Sequence, residues 1–212
     1  MKKGFCIVLM FFLLLYLTAC SSKNQQGQTD ADSSATRITE EDTVKKDNQS
    51  KENTDVLVAY FSCTGTTKSL AEYAAEYLNA DLYEIEADIP YTSEDLDYNK
   101  SDSRANKEQD DSSARPAISG KVEDMGKYNT LVLAYPIWWG QAPRIISTFL
   151  ESYDFNGKTI VPFCTSHNSG IGSSDKNLHS LVDSSVEWKD GKRFASGTSE
   201  NEITGWLHEM GI

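Results

Sequence analysis

The feature that most constrains the fold is an unbroken apolar run at residues 56–61, followed at once by a hydroxyl-rich turn. A continuous apolar, β-rich run predicts a strand buried on both faces, as at the centre of a parallel sheet. The turn, Ser-Cys-Thr-Gly-Thr-Thr at residues 62–67, leads into an amphipathic helical pattern over residues 68–78. The segment therefore predicts a strand, a tight loop and the N-terminus of a helix.

This loop is predicted to bind an anion. Backbone N–H groups in a first helical turn lack partners inside the helix, and the helix dipole favours negative charge there. Gly65 allows a close turn of the backbone, and hydroxyls can donate from Ser62, Thr64, Thr66 and Thr67. The loop has neither a Walker-type lysine nor a GxGxxG pattern. It suits a single phosphate monoester; the alternative is an ordinary capped strand–helix turn.

Two further apolar runs predict buried strands at residues 130–135 and 159–164, each followed by a helical pattern. Pro162 lies inside the second run, so we expect a bulge or a missing ladder hydrogen bond there. The helical patterns have apolar sides formed by Ile145, Ile146, Phe149 and Leu150 in one case, and Leu178, Leu181 and Val182 in the other.

Weaker patterns complete the prediction. Residues 81–86 alternate and suit a sheet edge, and residues 186–188 and 192–194 predict two last strand pieces around an Asp-Gly turn. A capping box of Ser199 and Glu202 predicts the start of a terminal helix. Strands alternating with helices predict an α/β fold with a three-layer, doubly wound parallel sheet.

Three unusual loops follow predicted strands, at residues 62–67, 136–140 and 165–172. The carboxyl ends of parallel strands share one edge, where ligands of such sheets bind. The second loop has two adjacent tryptophans, Trp138 and Trp139, which cannot both be core residues. We therefore expect a phosphate cradle, an aromatic wall and a small polar loop at one edge.

The segment at residues 87–127 is polar and lacks clear periodicity. It is too long for a plain loop, so it either carries a crossover helix, predicted at residues 94–109, or covers a site. Arg104, Lys107 and Arg115 either contact a substrate or form a solvated face.

The first twenty residues are predicted to be a signal peptide. A basic start and an apolar run at residues 5–17 precede Leu17-Thr18-Ala19-Cys20, which looks like a bacterial lipobox with Cys20 as the lipidated residue. Residues 21–54 are polar and predict a disordered tether. The expected location is the outer side of the cytoplasmic membrane, held by lipid. A plain secretory signal or a short membrane anchor are the alternatives.

Charge and cysteine content limit the partners and the covalent structure. The formal charge of −12 argues against nucleic acid as a partner, because few counterions would be released from a phosphate backbone. Cys63 and Cys164 remain after the signal sequence and are expected at strand ends about 9 to 10 Å apart, too far for a disulfide.

Residues 55–212 resemble the flavodoxin-like superfamily, whose phosphate loop has the pattern S/T-x-T-G-x-T. The Tyr-Pro-Ile-Trp-Trp-Gly segment and the Thr-Ser loop are similar to its short bacterial domains rather than to its long-loop electron carriers. The resemblance implies a five-stranded sheet in the order 2-1-3-4-5 and bound FMN. The implied cofactor-binding residues are Ser62, Thr64, Gly65, Thr66, Thr67, Pro136, Ile137, Trp138, Trp139, Gly140, Thr165, Ser166, Ser169 and Gly170.

In this arrangement the first loop holds the phosphate, the second lies along the isoalloxazine, and the third contacts the other ring edge or the ribityl chain. The third loop departs from the acidic, tyrosine-bearing loop of well-known flavodoxins. No side chain need act as acid, base or nucleophile, since the cofactor carries the electron chemistry. His167 can lie near the flavin or on the surface, and Cys63 is either redox active or a half-buried spacer.

Three functions follow as hypotheses. The first is an FMN-dependent electron carrier or reductase with an unidentified redox partner. The second is an NAD(P)H-dependent FMN or quinone reductase, which usually closes its site as a homodimer. The third is a lipoprotein that binds another phosphorylated or aromatic ligand without redox chemistry.

Overall fold

The computed structural model describes residues 54–212. The predicted signal sequence, the lipidation site at Cys20 and nearly all of the tether lie outside these described residues. The strands are β1 Val56–Tyr60, β2 Asp81–Glu84, β3 Glu86–Ala87, β4 Ile118–Ser119, β5 Thr130–Pro136, β6 Thr159–Thr165, β7 Glu187–Trp188 and β8 Lys192–Phe194. The α-helices are α1 Thr66–Tyr77, α2 Arg104–Asp110, α3 Arg144–Glu151 and α4 Glu200–Glu209, and 3-10 turns lie at Met125–Lys127 and Lys176–Leu181.

The main sheet is parallel and has the order β2-β1-β5-β6-β7. This confirms the predicted doubly wound sheet, with β2 at the edge. The fifth position is shared by two pieces, because β8 also pairs with β6, further along that strand than β7. The short strands β3 and β4 form a separate antiparallel pair.

The central strands are buried on both faces because alternate residues belong to different cores. Leu57 and Ala59 pack on the face that carries α3, whereas Val58 and Tyr60 pack on the face that carries α1 and α4. Each apolar run therefore supplies two cores, which explains why β1, β5 and β6 show no polar alternation.

Pro162 is accommodated where the fifth strand is interrupted. The β5–β6 register continues through it without a bulge, and Ile160 O, two residues earlier, accepts from Lys189 N at the end of β7. The missing donor of Pro162 therefore faces the break between β7 and β8. A Cβ on Gly191 in this break would lie 3.1 Å from Pro162 Cγ and 2.4 Å from Ile171 Cδ1, so the break also needs a glycine.

The helix predicted at residues 94–109 is wrong for most of its length, since α2 begins only at Arg104. Side chains hydrogen-bond to nearby backbone before it: Asp95 accepts from Thr92 N, and Asp97 accepts from Asn99 N. Such local bonds compete with helix formation. Ser103 then serves as the N-cap of α2, accepting from Asn106 N.

Other element boundaries also differ from the predictions. Helix α1 begins two residues early, at Thr66. The pattern around Leu178 forms a 3-10 turn that ends before Val182. Ser199 is the N-cap of α4, but within the described residues its side chain makes no capping hydrogen bond. In the described part of the chain no helix has the length and apolarity needed to cross a bilayer.

Candidate functional site

The loop after β1 is closed by its own residues. Ser62 Oγ accepts from Gly65 N at 3.1 Å, and Gly65 has a φ of 84°, which a residue with a Cβ adopts only with strain. Helix α1 begins at the next residue, so the N–H groups of Thr66, Thr67 and Lys68 are the first of the helix and lack acceptors inside it. The loop therefore presents backbone donors together with hydroxyls.

A buried hydrogen bond joins this loop to the third one. Thr67 Oγ1 and Thr165 Oγ1 lie 2.8 Å apart, and both side chains are buried. The resemblance gave these residues separate contacts with a cofactor. In the structure their hydroxyls bind each other, which fixes the start of α1 against the end of β6.

A cavity of about 290 Å³ opens at this edge of the sheet. It brings together residues from all three predicted loops: Ser62, Thr64, Thr66, Thr67, Pro136, Ile137, Trp138, Thr165 and Ser166. The remaining predicted residues do not line it, and these are Gly65, Trp139, Gly140, Ser169 and Gly170. The assignment of individual residues to a cofactor stays a prediction.

The two tryptophans have different environments, as the sequence predicts. Trp138 is 4% exposed and packs edge-on against Phe61 and Tyr91, with ring centroids 5.5 and 5.4 Å away. Trp139 is 42% exposed and lies on Tyr98, at 4.6 Å between centroids. Of the pair, only Trp138 lines the cavity.

These tryptophans lie in a tight two-residue turn. The N–H and C=O groups of Trp138 bond to those of Gln141, both at 2.9 Å. Trp139 and Gly140 have φ values of 48° and 75°, so both central residues are left-handed. That conformation is strained for a tryptophan and is maintained by the surrounding structure.

Helix α2 clamps the aromatic turn from the long segment. Gln109 Nε2 donates to Trp138 O at 2.9 Å and to Ala142 O at 3.4 Å. Arg144 in turn donates to the carbonyls of Glu108 and Gln109 at the end of α2. The wall beside the cavity is therefore positioned by residues about thirty positions away in sequence.

The third loop is held by an arginine that the sequence predictions missed. Arg193 on β8 donates through Nη2 to Ser166 O at 2.8 Å and to His167 O. Ser166 Oγ donates to Ser169 O, and Ser166 N donates to Phe194 O at 3.2 Å. The loop is thus tied to the second piece of the fifth strand.

Several further residues line the cavity without having been predicted as site residues: Cys63, Leu96, Tyr98, His167 and Ser196. Leu96 and Tyr98 come from the long polar segment, so this segment does cover the site. The sequence around Leu96 and Tyr98 has no clear periodicity, so neither residue could be assigned to the site from the sequence. Ser196 follows β8, and the rule that loops at strand carboxyl ends form the site would have identified it.

Burial governs the chemistry of Cys63. The thiol is half-buried, and burial raises its pKa to about 12, although the Arg104 charge acts in the opposite direction. This supports the spacer interpretation rather than an acidic, redox-active thiol. Both Cys63 and Cys164 are free, as predicted.

Of the basic residues in the long segment, none lines this cavity. Arg104 pairs with Glu108 at 2.7 Å, and Arg115 pairs with Glu151 at 2.6 Å. Lys107 is exposed. Among the described residues that line the cavity there is also no carboxylate, although the chain carries a formal charge of −12.

Comparisons with known proteins agree with this architecture. The chain is 44% identical to a protein of Bacteroides eggerthii assigned as a flavoprotein, covering 74% of this chain and 98% of that one, with a TM-score of 0.70. A protein of Bacteroides uniformis with the same assignment is 41% identical, covering 73% and 97%, with a TM-score of 0.69.

A flavoprotein of Lactobacillus acidophilus, solved in complex with FMN, is 21% identical over 72% of this chain and 98% of that one, with a TM-score of 0.54. At this identity it supports the fold alone. The chain matches no curated protein. The sequence model of the flavodoxin family matches residues 55–210. With its parallel sheet and the loops gathered at the carboxyl edge, this chain belongs to the flavodoxin family.

Proposed function

We propose that this chain binds FMN and acts in electron transfer, either as a carrier or as an FMN-dependent oxidoreductase. One observation supports this most directly. The cavity of about 290 Å³ extends from a hydroxyl-rich helix N-terminus to the buried Trp138. A flavin mononucleotide combines a phosphate monoester with a planar aromatic ring. The phosphate suits the helix N-terminus, and the ring suits the aromatic side of the cavity.

The donor set fits a phosphate dianion. The N–H groups of Thr66, Thr67 and Lys68 lack acceptors inside the helix, and the hydroxyls of Thr64 and Thr66 line the cavity. Because Ser62 Oγ accepts from Gly65 N, its own proton remains available to donate. No carboxylate among the described cavity-lining residues would repel the anion.

The other wall fits an aromatic ring. Pro136, Ile137 and Trp138 follow β5 and line the cavity, and Leu96 and Tyr98 approach from the long segment. Apolar and aromatic surroundings with a few polar groups are typical of cofactor sites. FMN bound there would supply one- and two-electron redox chemistry. The chain would bind it, exclude water from one side and influence its redox potential.

The deciding measurement is the visible absorbance spectrum of the full-length purified protein after incubation with FMN and removal of the excess. We expect the two bands of protein-bound flavin together with quenched tryptophan fluorescence. A folded but colourless protein would contradict the proposal and favour a binding protein without redox chemistry. Oxidation of NADPH in the presence of a quinone would assign the loaded protein as a reductase rather than a carrier.

We also propose that Cys20, which lies outside the described residues, carries a lipid that holds the protein on the outer side of the cytoplasmic membrane. The Leu-Thr-Ala-Cys sequence after an apolar run supports this. Expression in a bacterial host should place the protein in the membrane fraction with a lipid-modified N-terminal cysteine by mass spectrometry. A Cys20→Ser variant should lose the modification. An unmodified wild-type protein would exclude the anchor.

A further inference from the structure

A second, larger cavity is lined in part by the aromatic turn. Its volume is about 540 Å³, and Gln141, which closes the turn with Trp138, is one of its lining residues. Ala142 and Arg144 also line it, so the start of α3 faces this cavity. It shares no lining residue with the cavity proposed for FMN.

Several side chains that line this cavity have hydrogen-bond donors without partners among the described residues. Arg144 uses Nε and Nη2 on backbone carbonyls, which leaves Nη1 unpaired within the described residues. Lys176 has no partner there. Gln141 Oε1 accepts from Asn177 Nδ2 at 2.6 Å, so its own amide N–H groups remain free.

Ser147 adds a hydroxyl donor to this cavity. Ser147 is only 5% exposed yet lines the cavity, and within residues 54–212 its hydroxyl makes no hydrogen bond. This hydroxyl is open to the cavity and is free to donate to a molecule that occupies it.

The charges at this cavity favour an anion. Arg144 and Lys176 have no carboxylate within ion-pair distance among the described residues. Arg115 also lines the cavity but is paired with Glu151, and each of its three guanidinium nitrogens already donates a hydrogen bond. Asp111 acts on both arginines through space while its Oδ1 accepts from Ser113. No lining residue is acidic, in a protein with a formal charge of −12.

From these observations we propose that this cavity binds the phosphate group of a small molecule. Guanidinium and ammonium groups make charge-assisted hydrogen bonds to phosphate, and the serine hydroxyl and glutamine amide add neutral donors. The three terminal oxygens of a phosphate have acceptor sites for donors on Arg144, Lys176, Ser147 and Gln141, all of which line the cavity. The site is separate from the one proposed for FMN.

The test is a titration of the full-length, FMN-saturated protein with inorganic phosphate, in which calorimetry measures the heat of binding. The same titration on a Thr64→Leu, Thr66→Leu variant excludes binding at the first loop, whether or not that loop holds FMN. We expect saturable binding at millimolar phosphate in both proteins, weakened by added chloride. Absence of binding in both would overturn the proposal and leave the FMN assignment unaffected.

Matched variants locate the site. Lys176→Gln should weaken phosphate binding about tenfold, whereas Lys107→Gln, an exposed lysine outside the cavity, should not change it. Ser147→Ala should also weaken binding while leaving the thermal midpoint without phosphate unchanged or raised, because an unpartnered hydroxyl is removed. Equal affinities of the Lys176→Gln and Lys107→Gln variants would overturn the proposal.

Competition then identifies the source of the phosphate. Displacement of phosphate by NADPH but not by NADH would support the site and assign it to the additional phosphate of a pyridine nucleotide. Binding of phosphate that neither nucleotide displaces would support the site and assign it to free phosphate or another phosphorylated molecule.

Discussion

The two walls of the candidate site are held in different ways. The loop after β1 is closed by contacts over a few residues, such as Gly65 N to Ser62 Oγ and Ser69 N to Gly65 O. The aromatic turn is clamped from a distance, by Gln109 across 29 positions of sequence. One wall is therefore a local structure, and the other depends on the packing of a separate segment.

This difference explains why only one of the two walls could be predicted from the sequence. Local closure needs particular residue types at fixed spacing, so the tight strand–loop–helix turn at residues 62–67 could be predicted from the sequence. A long-range clamp leaves no such pattern, because its partners pair only after the chain has folded. Variants of each wall should accordingly affect ligand binding and stability in different proportions.

The largest effect is expected in the local wall. Replacing Thr64 and Thr66 together by leucine removes two hydroxyls and fills the phosphate position, so FMN affinity should fall by more than about 100-fold. Thr64 is exposed and Thr66 half-buried, so the melting temperature of the flavin-free protein should change little. Fluorescence titration with FMN and thermal melts measure the two effects. Unchanged flavin affinity would contradict the phosphate-loop assignment.

A variant of Gln109, which holds the aromatic turn from α2, should lose more stability and less FMN affinity than the threonine variant. Gln109→Ala removes the side-chain donor to the carbonyls of Trp138 and Ala142, of which Trp138 O keeps its bond from Gln141 N. We expect a loss of about 1 to 3 kcal/mol in the free energy of unfolding. FMN affinity should fall less than in the threonine variant. Urea unfolding followed by tryptophan fluorescence gives the stability. Asp110→Ala, at the next and exposed position of α2, is the control and should have little effect.

The Thr67–Thr165 bond joins the local wall to a residue 98 positions away in sequence, and breaking it should give a smaller effect. Thr67→Val keeps the shape but breaks the 2.8 Å bond, so we expect a loss of about 1 kcal/mol or somewhat more. A double-mutant cycle with Thr165→Val isolates the coupling. Additive effects of the two substitutions would mean that the bond does not link the two loops energetically.

The smallest effect concerns Cys63, which lies in the local loop but is buried partly by the distant segment. Burial raises its pKa to about 12 from 9.0. Between these values the unfolded thiol loses its proton and the folded one keeps it, so stability should fall as pH rises through that window. Alkylation of Cys63, followed by peptide mass spectrometry, should be slow at pH 8 compared with the unfolded protein. Fast alkylation of the native protein would contradict the burial effect.

Much of the fold could be predicted because it depends on repeated local patterns. The apolar runs of β1, β5 and β6 indicated doubly buried strands, and the order of the sheet was confirmed. The helix predicted at residues 94–109 was wrong over most of its length because Thr92, Asp95 and Asp97 bond to nearby backbone. The prediction depended on the length of a segment without clear periodicity, which does not show such local bonds. The fifth strand is split at Gly191, where a Cβ would lie 3.1 Å from the ring of Pro162 in the neighbouring strand, and the sequence did not reveal this contact.

By itself, the sequence determined the central strands, the tight loop before the first helix and the exposure of one of the two tryptophans, because each follows from residue type and spacing. Only the tertiary structure decided that Trp138 is the one at the cavity, that Leu96 and Tyr98 cover it, and that Arg193 holds the third loop. It also brought Arg144, Ser147 and Lys176 to a second cavity. These contacts join residues far apart in the chain, and their geometry is fixed by packing.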